Sequence, residues 1–555
     1  MVDVQLLAKD LNATLSDETI SVVQEQRLQV RTELDYLSSR LKETSINDDD
    51  DDPCIVESRA PSSSKPSIRA RCKELTAQLS ACDTILAPYK CLPSELLTEI
   101  FLATYSLEDS SFIPVEIRSS PLALCQVCSR WRSVALEIPN LWTNVILRFS
   151  RRTDPLSLVE IAEQWFRRSG HSHLLSLVLT KRSPYLAPNW DDHPDFVPEI
   201  SRRLLSPYGH RFRKLHATLP ICNLFQFISR VNSSGSGTTL PKLPRLTDLG
   251  LSLDAGEHTP RVAISITALT LCFREHAANL VELSLGHFGK HFPFNGLVHL
   301  GFGSLARLTL VETSIDITRC HALWRQCSQL VHCRVNLALK RDQGVRDVRR
   351  QIMLPRLQSL SIDVSSNDLP EGPHVYRAQL DEIFSPLVAS SLKELRISPH
   401  QLRGTRAWDN GAFLRFLSQS APPLEIMAIS KINLKLEDIL DALPELVELQ
   451  LGFDTSCKVS KEVMRRMGLG ELVPQLKVLV CCVDELDDLI DLLEKRWQQS
   501  TFCDTATDVS LQRATMRLSC PDYVWVEHVN KRIAPQQASR VDKLRSFGLT
   551  IRTDH

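Results

Sequence analysis

An apolar residue, a second one three positions later and a third two positions after that recur along most of this chain, and that motif admits few folds. It occurs at Trp142/Val145/Leu147, Leu174/Leu177/Leu179, Phe212/Leu215/Ala217, Leu246/Leu249/Leu251, Leu280/Leu283/Leu285, Leu305/Leu308/Leu310, Leu330/Cys333/Val335, Leu357/Leu360/Ile362, Leu392/Leu395/Ile397, Leu424/Met427/Ile429, Leu446/Leu449/Leu451, Leu476/Leu479/Cys481 and Leu544/Phe547/Leu549. From Trp142 to Leu476 the mean spacing is about 30 residues, the size of one supersecondary unit in a repeat array. Within each unit the last two apolar residues bracket a single position, the alternation of a strand with one buried face. Helical periodicity fills the intervals at 317–327, 375–384, 411–417 and 484–497. Strand then helix, repeated, predicts a parallel α/β solenoid whose units bury their apolar faces only against neighbours. Between Trp142 and Leu476 the shortest interval runs from Leu424 to Leu446 and the longest from Leu174 to Phe212, so kinks are expected near the long intervals and around 501–540. The ninth position of the unit reads Asp254, Phe288, Thr313, Ala338, Ser365 and His400, with no asparagine ladder to satisfy loop backbone.

Upstream of the array, Cys91 to Trp142 carries a different pattern. Leu92, Leu96, Leu97, Ile100 and Phe101 follow three- and four-residue steps, which predicts an amphipathic helix. Pro93 suits its first turn, and Glu95 and Glu99 complement the positive end of the helix dipole. A second helical series, Leu124, Val127 or Cys128, Trp131, Ala135 and Ile138, runs until Pro139 stops it. Leu-Pro-x-Glu-Leu-Leu-x-x-Ile-Phe, followed by Val-Cys-x-x-Trp-Arg and Pro-x-Leu-Trp, resembles the F-box of fungal F-box proteins. The connector from Ser106 to Ser120 is longer than that pattern usually has and carries Pro114. The resemblance implies a small helical bundle that binds the adaptor of a cullin-RING ubiquitin ligase of the SCF type. On the matched positions it implies adaptor contacts by Leu92, Pro93, Leu96, Ile100, Cys128 and Trp131. The array downstream is similar to the leucine-rich-repeat domain common in such proteins, where it would present a protein substrate.

Two shorter heptad series precede the motif. Val30, Leu34, Leu37 and Leu41 form the first, with Val23 ahead of it and Arg27 breaking the register; Ile68, Cys72, Leu75, Leu79, Cys82 and Leu86 form the second. Asp48 to Asp52 and the Ser/Pro-rich stretch between them lack apolar residues and read as a flexible linker. Each helix is too short to be stable alone, so the seams pair either as a hairpin within one chain or with another chain. The expected organisation is α/β: a helical or coiled-coil segment at 1–45, linker at 46–67, second heptad helix at 68–87, F-box at 88–145 and an irregular leucine-rich-repeat-like solenoid at 146–555.

Composition narrows the function. A formal net charge of −1 across 555 residues lacks the basic excess of a phosphate-backbone binder, so no nucleic acid is expected. No apolar run reaches the ~20 residues needed to cross a bilayer, and 1–10 lacks the order of a secretory signal, which predicts a cytoplasmic or nuclear protein without membrane contact. Sixteen cysteines invite a metal or disulfide reading. Cys125 and Cys128 have CxxC spacing without a second pair, and in the denser group Cys320, His321, Cys327, His332 and Cys333 the residues Cys327 and Cys333 flank a repeat strand where cysteine serves as a small buried hydrophobe, so no metal, cofactor or catalytic group is expected. Gly289-Lys290-His291 fails as a phosphate loop because Ser284 and His291 stand where glycine and Ser/Thr are needed. The expected function is therefore that of a substrate receptor of the ligase, or alternatively a scaffold that uses the same modules for assembly alone.

Alternation also places a candidate substrate surface. The third, fifth and seventh positions of each unit face away from the buried leucines. In the middle of the array they read Arg307, Thr309, Val311; His332, Arg334, Asn336; Ser359, Ser361, Asp363; and Glu394, Arg396, Ser398. The candidate contacts among them are Arg307, His332, Arg334, Asp363, Glu394 and Arg396. Their mixed charges suit a protein segment better than an apolar ligand.

Overall fold

The computed structural model describes residues 17–46, 64–86, 92–107, 112–113, 121–150, 154–181, 193–232, 243–254, 274, 276–289, 292, 294–297, 299–338, 351–365, 382–399, 406–407, 410–430, 432–433, 435–452, 459–483, 486–502, 513–518, 535–546 and 550–553. The acidic linker, most of the helical segment expected at 375–384, and Phe547 and Leu549 lie outside them. The chain divides into two compact units, Met1–Ile146 with Ile161–His173, and Leu147–Glu160 with Leu174–His555.

The first unit is helical. Helices α1 (Asp17–Ile46) and α2 (Ser64–Ile85) run antiparallel, since Arg27 pairs with Asp83 at 2.6 Å while Glu33, further along α1, pairs with Arg71, further back along α2, at 3.0 Å. Val23, Cys82 and Ile85 close the seam at one end, with Val30 and Leu75 buried further along. The register therefore extends through Val23 despite Arg27. That residue sits at the edge of the seam and turns its guanidinium to Asp83, as long amphipathic side chains can.

Helices α3 (Ser94–Leu107), α4 (Leu122–Val127) and α5 (Ser129–Glu137) follow in the same unit. The second apolar series is not one continuous helix. Cys128 adopts φ −159° and ψ 172°, which ends α4 and starts α5, and its Sγ accepts the Trp131 N–H at 3.5 Å as a helix cap. Arg132 Nε donates to the Cys125 carbonyl at 2.9 Å, holding the two pieces together across the break. Trp142, fully buried, donates its indole N–H to the Ala135 carbonyl at 2.9 Å and stacks edge-on against Trp165.

The second unit is built on a large parallel sheet. After the two-residue strand Phe112–Ile113, the strands β1 (Asn144–Phe149, its first three residues in the first unit), β2 (Leu175–Lys181), β3 (Phe212–Leu219), β4 (Asp248–Leu253), β5 (Glu282–Gly289), β6 (Arg307–Ile315), β7 (His332–Ala338), β8 (Ser359–Ser365), β9 (Glu394–Pro399), β10 (Ile426–Ile429), β11 (Glu448–Leu451), β12 (Val478–Val483), β13 (Arg513–Leu518) and β14 (Thr550–Thr553) lie side by side in chain order. Helices return between many of them: α6 (Pro155–Arg168), whose second half from Ile161 belongs to the first unit, and then α7 (Ile221–Asn232), α8 (Ile317–Trp324), α9 (Asn410–Ser420), α10 (Lys461–Gly468), α11 (Leu486–Phe502) and α12 (Pro535–Ser546) among others. Among the described residues no helix is long and apolar enough to cross a membrane.

The repeat motif explains this sheet. Equivalent positions pair directly, Leu283 with Leu308, Leu308 with Cys333, Cys333 with Leu360 and Leu360 with Leu395, so each leucine column continues from strand to strand. The fourth- and sixth-position residues from Leu177 to Cys481 are buried. The second position locks the register. The N–H groups of Val281, Ala306, Val331, Gln358, Lys393, Glu425, Val447 and Lys477 each donate to the carbonyl of the equivalent residue one unit earlier, at 2.7–2.9 Å. This backbone ladder needs no particular side chain, so the array stays in register without asparagines. At the ninth position Thr313 supplies a local substitute: its Oγ1 accepts the Phe288 N–H at 3.2 Å and lies 3.3 Å from the Leu285 carbonyl.

Three expectations need correction. Leu174 is exposed, because β2 begins at Leu175. The last motif hit is out of place: Leu544 belongs to α12 and the strand follows at Thr550, since the helical face Val541/Leu544 imitates a fragment of the strand spacing. A strand, β13, lies inside the stretch expected to kink, and strand order is unbroken there because Arg513–Leu518 pairs with both neighbours. Register does shift at Leu175/Ser176, at the end of the longest interval, and again at Gly286/Gly289 and Thr309/Ser314, where His287 and Glu312 adopt φ 59° and 47° and bond to each other at 2.9 Å.

Candidate functional site

Two surfaces gather the candidate residues, and each is best understood from what lies beneath it. On α3 the apolar residues split into two sets. Leu97 and Phe101 are fully buried, and the Phe101 ring meets Trp131 edge-on at 5.0 Å between centroids. Leu96 and Ile100, one turn apart, point the other way and are 51% and 44% exposed, with Pro93 exposed beside them and Leu92 half-buried. The sequence pattern had put all five on one face; their 3.6-residue period spreads them over two. Val127 at the end of α4 is a further exposed apolar side chain.

The α3 entry is held from behind. Arg130 Nη2 donates to the Leu92 carbonyl at 2.5 Å, tying the chain just before α3 to α5. Of the six candidates, Leu96, Ile100 and Pro93 present themselves to solvent, Leu92 lies between, and Cys128 and Trp131 face partly inward as a helix cap and as the platform for Phe101. The core behind α3 is already complete without Leu96 and Ile100.

On the sheet, the faces away from the leucine columns carry charge in a fixed pattern. Arg307 Nη1 reaches Glu282 on the preceding strand at 2.6 Å. Arg334 Nε reaches Asp363 on the following strand at 3.1 Å, and Arg396 Nε bonds Glu394 on its own strand. Ser359 Oγ donates to Glu394 at 2.8 Å, between His332 and Glu394 in the pairing register. Burial raises the Glu394 pKa, but the bonds from Arg396 and Ser359 and the charge of Arg396 outweigh it, and the carboxyl lies below its ordinary value. A similar trio stands nearer the start, where Asp248 accepts from His216 at 2.6 Å and pairs with Lys214 at 3.0 Å. Its burial is likewise outweighed by those two partners, holding the carboxyl below the ordinary range. The His216 ring lies over Gly250, where a Cβ would stand 2.6 Å from it. All six sequence candidates thus sit on one face of four consecutive strands; the pairing partners Glu282 and Ser359 were not among them, because which strands neighbour one another is set by the register.

The cysteine-rich stretch is interior. Cys320, Cys327, Cys333 and His321 are buried, whereas His332 is exposed on the sheet face, so the group is divided between two sides. Trp324 Nε1 donates to Cys333 Sγ at 3.3 Å. Burial pushes the thiols of Cys327 and Cys333 up to about 12, far from the thiolate that binds metal or attacks. Among the described residues no three His, Cys, Asp or Glu side chains converge to hold a metal ion.

No family model matches the chain, and no curated protein matches it in sequence. Among solved structures, the crystal structure of the Rad7 and Elc1 complex in yeast aligns over 77% of this chain and 96% of that one, with a TM-score of 0.30 and 13% identity. A likeness this loose places no constraint on what the chain binds.

Proposed function

We propose that this protein is an F-box-type substrate receptor: the helical unit docks on the adaptor of a cullin-RING ubiquitin ligase, and the solenoid sheet holds a protein substrate. The observation that carries the reading is the stripe of Pro93, Leu96 and Ile100, left at the surface over a finished core of Leu97 and Phe101. Exposed apolar side chains clustered on one helix face are the usual mark of a partner site, and central anchors of this kind dominate binding energy. The motif resemblance names the partner, and the repeat array supplies a large polar face for the second one.

The test is capture of the adaptor by the tagged full chain. Leu96→Glu together with Ile100→Glu changes only exposed side chains, so the fold persists while adaptor capture is lost. Adaptor recovered at the wild-type level with that double variant would sink the proposal.

A further inference from the structure

The charges on the middle of the sheet are balanced in number but not in exposure. The side chains of Arg307, Arg334 and Arg396 are 51%, 50% and 40% exposed, while Glu282, Asp363 and Glu394, to which they bond, are 25%, 10% and 28% exposed. Each carboxylate lies low against the strands and each guanidinium stands above it. Thr309, Ser359 and Ser361 between them are short, and the exposed His332 stands beside Arg307 in the pairing register. Lys214 and His216, at 34% and 24%, stand over Asp248, at 14%, in the same way. A partner approaching this face therefore meets positive charge, although the local sequence is neutral on paper.

Spacing adds a second constraint. Arg307, Arg334 and Arg396 lie on β6, β7 and β9, with β8 between the last two. Neighbouring strands are ~4.8 Å apart, and Arg307 pairs with His332, two residues (~7 Å) short of Arg334, whereas Arg334 and Arg396 share one register row through Ser361, so successive cations stand about 8 and 10 Å apart on a slant across the sheet, a step that long arginine side chains can shorten. An extended chain rises ~3.3 Å per residue and turns alternate side chains to one side, so positions i, i+2 and i+4 fall at about 0, 7 and 13 Å. We infer that this face binds an extended acidic protein segment laid across strands β6 to β9, with carboxylates on alternate residues meeting Arg307, Arg334 and Arg396. The inference deepens the substrate-receptor reading, on which it rests, by giving the substrate segment its chemistry. Bidentate geometry favours carboxylates on such guanidinium groups, and the low-lying acids hold each arginine in place before the partner arrives.

The probe is a fluorescein-labelled peptide of alternating Glu and Ser, titrated against the purified full chain by fluorescence anisotropy, beside an alternating Lys–Ser peptide and a single-stranded oligouridine of equal charge. The expected result is binding of the acidic peptide alone, weakened by added salt. Arg334→Gln with Arg396→Gln keeps a donor beside Asp363 and Glu394 and is expected to weaken that binding at least about tenfold, the loss of two charge pairs with the peptide. The same variant should capture the adaptor normally, which shows that it folds. Leu96→Glu with Ile100→Glu should lose the adaptor and keep the peptide, so the two readings fail separately. Equal binding of the lysine peptide, undiminished acidic-peptide binding by the double Gln variant, or oligouridine binding that the variant abolishes would each overturn the assignment, the last by giving the face to nucleic acid.

Discussion

The α3 surface and the solenoid sheet face solve opposite problems. On α3 the core closes with Leu97 and Phe101, and the apolar residues left over, Leu96 and Ile100, stay in water. In the array nearly every motif leucine is buried against the equivalent residue of the next unit, and what remains outside is polar. A short bundle has more apolar residues than interior, so its surplus is available to a partner by burial. A solenoid consumes its apolar residues in stacking and can recognise a partner only through charge and hydrogen bonds. The first kind of contact gains from area removed from water, the second from complementarity and orientation, so the two should respond differently to mutation and salt.

The largest expected effect contrasts the two leucine environments directly. Leu360 is fully buried and registers with Cys333 and Leu395, so Leu360→Ala should cost about 4 kcal/mol of unfolding free energy through lost burial and the cavity left behind. Leu96→Ala, at an exposed site, should stay within about 0.5 kcal/mol. Urea unfolding of both variants checks the pair; equal losses would mean that Leu96 is part of the core and would remove the basis for a docking face.

A smaller effect tests how dry the interior of the array is. His321 is buried, its ring bonded to the Ile383 carbonyl, and burial together with the nearby Arg325 charge lowers its pKa from 6.5 to about 4. The ring binds a proton more readily in the unfolded chain than in the folded one. Stability from this group is therefore complete above about 6.5 and falls as the pH drops toward 4, by roughly 3 kcal/mol in total. The melting temperature of the wild-type chain should fall over that window, and His321→Gln should flatten the fall; an identical pH profile in the variant would show the site to be solvated.

The smallest effect concerns a helix of the array. Ser460 caps α10 by accepting the Val463 N–H at 3.3 Å, while Val463, Met464 and Met467 bury its inner face. Ser460→Ala should lower stability by only about 1 kcal/mol, because packing rather than capping holds the helix. A loss as large as that of Leu360→Ala, read in the same urea titration, would contradict the view that stacking carries the array.

Elements that rest on period were legible in the order of residues. The three-then-two spacing placed the buried columns from Leu177 to Cys481 because side chains alternate along a strand, and the three- and four-residue steps placed α1, α2 and α3. Where a helix copied a piece of that spacing, as at Val541/Leu544, the motif pointed to the wrong element, and β13 was passed over although Leu511, Ala514 and Met516 keep the spacing and Ala514 and Met516 pair with Leu479 and Cys481. Three features came only from packing. It separated Leu96 and Ile100 from Leu97 and Phe101, since which side of a doubly apolar helix is buried depends on what packs against it. It broke the second helical series at Cys128, whose extended backbone is fixed by the contact of α4 with α5. It also lifted Arg307, Arg334 and Arg396 above their carboxylates, because the partner of each charge lies on a strand many residues away or is pressed down by one, and a neutral string of residues does not say which sign will face the solvent.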